Sequence, residues 1–330
     1  MHIPDHYLSP STCAVFAVGA SICVAFALKE TRKRLPQEKL SYLGFASALS
    51  FLIMMFNIPL PSGSSGHAIG AGLLAAIFGP WPAALAISIA LVLQAVLFAD
   101  GGLLSLGANI VNIAFVMPFV SYGLWQLLCR RAKSVRQKSL ALGLASYVGI
   151  NVAALLCATE LGIQPYLFHD AAGKALYFPY PLTMSIPAMA LGHLTLFGLV
   201  EGLFSGLVYH YLCKVAAPLL ERNNTQNKNF WPQLSLILTA LIVLCPLGLL
   251  SSSDAWAEWP ADFFQQNLGY IPAGIAQGFS WNSALADYQI AGLPDWLAYL
   301  LAAAIATSVL VICFKLAALA KDKHRAYGRD

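Results

Sequence analysis

The chain has 330 residues, 58% of them hydrophobic and 10% charged, with a formal net charge of +4 at neutral pH. Soluble domains carry about 25% charged residues, so this composition and a mean hydropathy of +0.68 exclude a soluble domain and define an all-α polytopic membrane protein. Seven cysteines (13, 23, 129, 157, 213, 245 and 313) lie mostly in apolar segments without CxxC spacing; they read as packing residues, with no disulfide framework or zinc site implied.

Residues 1–9 lack the basic region that opens a secretory signal peptide, and the first apolar run starts near Ser11. Met1 is therefore expected to stay on the mature protein, the bulky His2 also blocking removal of the initiator methionine. A free amine followed by histidine is a chelator before any fold exists. The amine of Met1, the amide nitrogen of His2 and its imidazole can close two fused rings on one metal. One more imidazole completes four nitrogens in a plane, which suits Ni(II), Cu(II) or tetragonal Co(II). His67 is the candidate, at the end of Pro59-Leu60-Pro61-Ser62-Gly63-Ser64-Ser65-Gly66-His67, where glycines let backbone and metal approach closely.

A transmembrane helix needs about 20 apolar residues, and about nine candidate spans follow: 10–28, 40–56, 68–79, 82–98, 106–127, 140–158, 182–213, 231–250 and 295–318. Basic loops at 29–34, 130–138, 214–228 and after Lys315 belong in the cytoplasm by the positive-inside rule. Splitting 68–98 at Gly79-Pro80-Trp81-Pro82 puts the five basic residues of loop 128–139 inside. The amino terminus is then outside, the carboxyl terminus inside, and 18 of 19 Lys/Arg are cytoplasmic, Lys174 excepted. Outside lie Asp5, Asp100, Glu160, Asp170, Asp254, Glu258, Asp262, Asp287 and Asp295. Such a field concentrates cations at the mouth, although positive-inside bias alone gives the same asymmetry.

Polar groups in or beside spans are costly and are functional candidates. Here they are Asn57, Ser65 and Gly66 in the first external loop, Gln94, Asp100-Gly101-Gly102, Asn109 and Asn112. They can orient the loop or hydrogen-bond the second nitrogen of a ligating histidine; for Asn109 and Asn112, helix–helix amide bonds are an equal reading. The over-long segment 182–213 carries His193 and Glu201, which read either as a cation path or as structural pairing. A polar linker, Glu221 to Lys228, separates a unit 1–220 from a unit 221–330. The latter holds one span, an external stretch 251–294 rich in aromatics and acids, and a last span. There is no Walker A and no HExxH, so any ATP-driven role needs other subunits and nothing points to a zinc-dependent intramembrane protease.

Three motifs together, Met1-His2-Ile3-Pro4-Asp5, Ser65-Gly66-His67, and Gln94 through Asp100-Gly101-Gly102 to Gly107-Ala108-Asn109, resemble the CbiM/NikM family over about residues 1–220. Members are substrate-binding S components of energy-coupling-factor transporters for cobalt and nickel. The resemblance implies a seven-helix core, with metal bound outside by the amine of Met1, the amide and imidazole of His2 and the imidazole of His67. It implies a transmembrane coupling protein, cytoplasmic ABC-type ATPases, a small accessory membrane subunit and a prokaryotic cell membrane, with Co(II) or Ni(II) as cargo, no organic cofactor and no nucleic acid. Overall similarity leans to cobalt, while the four-nitrogen plane serves nickel equally. His6 departs from the family, where glycine is usual. Residues 230–330 are similar, more loosely, to the accessory segment, whose Pro-Asp-Gly-Leu-Glu run departs here to Ser253-Asp254-Ala255-Trp256-Ala257-Glu258. The rival reading is a self-sufficient carrier or channel using His193 and Glu201.

Overall fold

The computed structural model describes residues 1–35, 37–60, 64–216, 231–251, 254–279 and 281–327. Pro61 to Gly63 of the His67 loop, the linker Glu221–Lys228 and Ser253 lie outside the described residues.

The first long helix, α1 (Pro10–Arg34), starts where the Ser9 side chain accepts from the Thr12 amide at 3.1 Å, with proline at its first position, and ends in Arg32, Lys33 and Arg34. After α2 (Gln37–Met54) the chain makes a short antiparallel hairpin, β1 (Ile58–Pro59) with β2 (Ser65–Gly66), pairing Ile58 with Gly66 and Pro59 with Ser65. Then come α3 (Ala71–Phe78) and α4 (Pro80–Leu93). They are parted by Gly79 at φ 90°, a conformation glycine alone adopts without strain, and Pro80 opens the next helix. The break expected at Gly79-Pro80 is therefore present.

A short α5 (Leu106–Asn109) runs through a π-helical stretch, Ile110–Val116, into α6 (Met117–Cys129). The 28-residue α7 (Val135–Gly162) opens on a reciprocal cap between Ser134 and Gln137, and α8 (Gln164–Leu167) follows. Two further π-helical stretches are Gln94–Phe98, which extends α4, and His193–Phe197, which joins α9 (Leu182–Gly192) to α10 (Gly198–Val215). Beyond the linker, helices Trp231–Leu244 and Asp295–Tyr327 flank a segment with short helices Ala261–Leu268 and Ala273–Ala276. The last long helix packs along α2, where a Cβ added at Gly44 would meet Phe314 and Val311 at 3.1 Å.

Among the described residues, seven helices are long and apolar enough to cross a membrane: Pro10–Arg34, Pro80–Phe98, Leu106–Cys129, Val135–Leu167, Leu182–Val215, Pro232–Leu250 and Asp295–Leu316. The other two of the nine expected spans are shorter. The apolar part of α2 is Tyr42–Met54. The eight-residue α3 rises about 12 Å at 1.5 Å per residue, well short of the roughly 30 Å hydrocarbon layer. It is almost wholly buried and packs on α4, α6 and α7. So α3 is an internal prop for the loop before it, while Pro80–Phe98, 67% buried against 17% for α1, is the central helix.

Candidate metal centre

The amino-terminal segment runs through the interior, with Met1, His2, Ile3, Tyr7, Leu8 and Ser9 all buried. It forms no strand, so its backbone groups need individual partners. Asn109, at the end of α5, clasps Ile3: the Ile3 amide donates to Oδ1 at 2.8 Å and Nδ2 donates to the Ile3 carbonyl at 3.1 Å. The same carbonyl accepts from the Gly102 amide at 2.9 Å and from the Ser105 hydroxyl. Asp5 accepts from the amides of Leu103 and Leu104 at 3.0 and 2.7 Å. The Ser9 amide donates to Gln164 at 3.0 Å.

This threading brings His2 against His67, their ring centroids 5.1 Å apart. His67 Nδ1 lies 3.1 Å from the Ala68 carbonyl; as that oxygen can only accept, Nδ1 carries the proton and Nε2 keeps a lone pair. Burial, aided by the positive charges of His2 and the terminal amine, pushes the His67 imidazole down to about 3, so it is neutral at physiological pH. His2 Nδ1 lies 2.7 Å from Asp100 Oδ1, while its buried Nε2 has no hydrogen-bond partner among the described residues. The other Asp100 oxygen accepts from Gln94 Nε2 at 3.0 Å and from the Tyr288 hydroxyl. Burial opposes ionisation of Asp100, but the charge and hydrogen bond of His2 and the Tyr288 hydroxyl hold it below the usual carboxylate range.

The Met1 amine faces Glu258 Oε1 at 3.4 Å; burial pushes the Glu258 carboxyl up against the pull of that amine. The Met1 carbonyl accepts from the Cys157 thiol at 3.6 Å. Glu258 and Tyr288 both come from the segment after the linker. Further ties hold that segment down: Ser65 bridges to Ala255, and the Tyr7 hydroxyl donates to the Trp259 carbonyl at 2.7 Å and accepts from its amide at 3.1 Å.

Of the remaining candidates, Asp100 bonds His2, Gln94 bonds Asp100, and Asn109 bonds the backbone of Ile3. Asn57 enters the fold through its backbone amide, bonded to the Met55 carbonyl at 3.2 Å. Ser65 and Gly66 form β2, and a Cβ at Gly66 would meet the Phe197 ring at 2.6–2.9 Å. Asn112 donates to Glu160 at 2.8 Å, away from the imidazoles. His193 Nδ1 bonds the Met189 carbonyl at 2.8 Å. Glu201 accepts from the Ile69 and Gly70 amides at 2.8 and 2.9 Å, so the two have separate partners. His6 sits at φ 70° with Nε2 on the Phe279 carbonyl; the left-handed backbone explains why glycine suits this position. Sequence reasoning missed Tyr288 and saw Glu258 only as one of many acids. The Trp256–Glu258 stretch opposite the family's acidic run was the available signal.

Among the described residues no three His, Cys, Asp or Glu side chains are grouped to hold a metal; the nitrogens gathered here are the imidazoles of His2 and His67 and the main-chain nitrogens of Met1 and His2. Nitrogen donors of that kind suit late transition metals and disfavour magnesium or calcium.

Fold and comparisons together define the class: a multi-pass membrane subunit for transition-metal transport, and not an enzyme. Residues 2–219 match the family model CbiM, cobalt uptake substrate-specific transmembrane region, and residues 231–322 match the PDGLE domain. The chain belongs to the CbiM family of prokaryotic cobalt and nickel transport S components, with a fused PDGLE segment. It is 42% identical over 323 residues to the probable fused nickel transport protein LarMN of Lactiplantibacillus plantarum, covering 96% of this chain and 97% of that one. It is 39% identical over 341 residues to the fused nickel transport protein NikMN of Rhodobacter capsulatus, covering 96% and 97%. A crystal structure of a transition metal transporter aligns with a TM-score of 0.62 at 49% identity, covering 65% of this chain and 93% of that one.

Proposed function

We propose that this chain captures Ni(II), and Co(II) as a second ion, at the outer face of the membrane for an ATP-driven importer. The ligands are the Met1 amine, the His2 amide nitrogen and imidazole, and the His67 imidazole. A transmembrane coupling protein and cytoplasmic ATPases drive release inside, and residues 221–330 serve the accessory role within the same chain. The site then faces outside and the basic helix ends face the cytoplasm, with α2 and α3 completing a seven-helix core. The leaning to cobalt drawn from overall similarity gives way to nickel because the two relatives described above, matched along nearly their whole length, are named for it.

One observation carries this reading: the chain's first two residues are buried against His67, with the ring centroids 5.1 Å apart. Nδ1 is the nitrogen of His2 that closes a six-membered ring with its own amide, and it contacts Asp100. Chelation therefore requires the imidazole to exchange Asp100 for the metal. Asp100 and Glu258 then balance charge around a buried dication, whose isolation in an apolar interior is otherwise prohibitive. The displaced amide proton makes binding stronger as pH rises.

The test compares the purified protein with His2→Gln, whose bulky second residue keeps Met1 in place. The substitution removes the imidazole from the terminal chelate and creates no alternative four-nitrogen site. Loss of high-affinity Ni(II) and Co(II) binding is expected; undiminished binding would exclude the Met1–His2 chelate.

A further inference from the structure

Glu201 is the fully buried carboxyl in the middle of the bundle, and the proposed chelate does not use it. It projects from α10 and meets no cation among the described residues. Its Oε2 accepts from the amides of Ile69 and Gly70 at 2.8 and 2.9 Å, and its Oε1 accepts from the Ser205 hydroxyl at 3.3 Å. Ile69 and Gly70 lie two and three residues after His67, at the entry to α3. Gly70 is at φ 74°, so the chain turns sharply there, and the Ser50 hydroxyl holds the Ile69 carbonyl at 2.9 Å from the α2 side. On the other side of His67, the Phe197 ring occupies the space that a Cβ at Gly66 would need; it belongs to the π-helical stretch leading into α10. The turn carrying His67 is thus gripped before and after by one continuous span, Leu182–Val215, through a ring on one side and a carboxyl on the other.

We infer that Glu201 is a positioning residue that fixes the His67 imidazole relative to the Met1–His2 chelate and ties it to α10. Hydrogen bonds to a carboxylate are short and strong, and a buried amide left without a partner must move to find one. Loss of the Glu201 oxygens therefore lets the turn drift, and His67 with it, while the terminal chelate stays where Asn109 and Asp5 hold it. The link also gives α10 leverage: a shift of that span relative to α3 withdraws one of the four ligands without touching the other three. This inference rests on His67 being a ligand.

The test uses the full-length protein and reads the visible absorption band of bound Ni(II), affinity and thermal stability in Glu201→Gln, Glu201→Ala, His67→Ala and the double variant Glu201→Ala/His67→Ala. Supporting groups around metal ligands change affinity by about 10–100-fold. Glu201→Ala is expected to weaken Ni(II) by that factor, to move the band to where His67→Ala moves it, and to add nothing in the double variant. Glu201→Gln, which keeps one acceptor oxygen, should restore part of both. If Glu201→Ala does not fold, Glu201→Gln and Ser50→Ala, which frees the same turn from α2, carry the band comparison. A native band with affinity within about twofold of the parent in the folded Glu201 variants overturns the inference, even if they melt earlier. A native band in His67→Ala overturns the ligand assignment itself, so the two failures are distinguishable.

Discussion

His67 is neutral in the folded chain down to about pH 3, whereas an exposed histidine takes up a proton near pH 6.5. Between those values the unfolded chain binds a proton that the folded chain refuses, so stability falls as pH drops through this window, by up to about 1.4 kcal/mol per pH unit. Asp100, held below the usual carboxylate range, adds a loss of the same sign below about pH 4. Thermal unfolding followed from pH 7 to pH 3 should show this slope in the parent and a flatter one above pH 4 in His67→Gln. An unchanged slope would mean that His67 is not buried as described. The proposed donors could be singled out in sequence, because Met1-His2 is a local pattern and Gly66-His67 follows a glycine-rich run. Their supports were legible in part. Gln94, Asp100 and Asn109 stand out as polar residues beside apolar runs, but nothing local marks Tyr288, 188 residues from the Asp100 it touches.

At the scale of elements, the break at Gly79-Pro80 was readable because glycine and proline act through the backbone alone. The length of α3 was not, since hydropathy registers burial in protein and burial in lipid alike. The three π-helical stretches among the described residues, Gln94–Phe98, Ile110–Val116 and His193–Phe197, also escaped sequence reading, as a one-residue change in helical register leaves no compositional mark. The last of them places Phe197 against Gly66 of β2, so Gly66→Ala should force the ring or the hairpin aside. Overpacking of this kind costs about 1–3 kcal/mol, and weaker Ni(II) binding should accompany it. A compensating Phe197→Leu should recover both in thermal melts and binding isotherms; no recovery would mean that the glycine serves the backbone instead.

In the whole molecule, the segment after the linker is bound to the core at both levels: Asp295–Tyr327 lies along α2, and the stretch before it covers the amino terminus through Glu258, Trp259, Phe279 and Tyr288. The composition shift at Glu221–Lys228 announced a boundary but could not show that the parts interlock, because their contacts pair residues from opposite ends of the chain. Cutting a protease site inserted at 221–228 should leave both fragments co-purifying in detergent, with Ni(II) binding retained. Separation of the fragments would show that the linker, and not the interface, holds them together.

The span of those contacts also orders the birth of the protein. Met1 meets Glu258 across 257 positions, Tyr7 meets Trp259 across 252, and His6 meets Phe279 across 273. The first residues to leave the ribosome are thus among the last to be seated, and such distant closures form late because the intervening loop must first be ordered. A half-inserted chain has the Met-His dipeptide but no roof over it. The finished pocket belongs only to a chain already made at least as far as Tyr288.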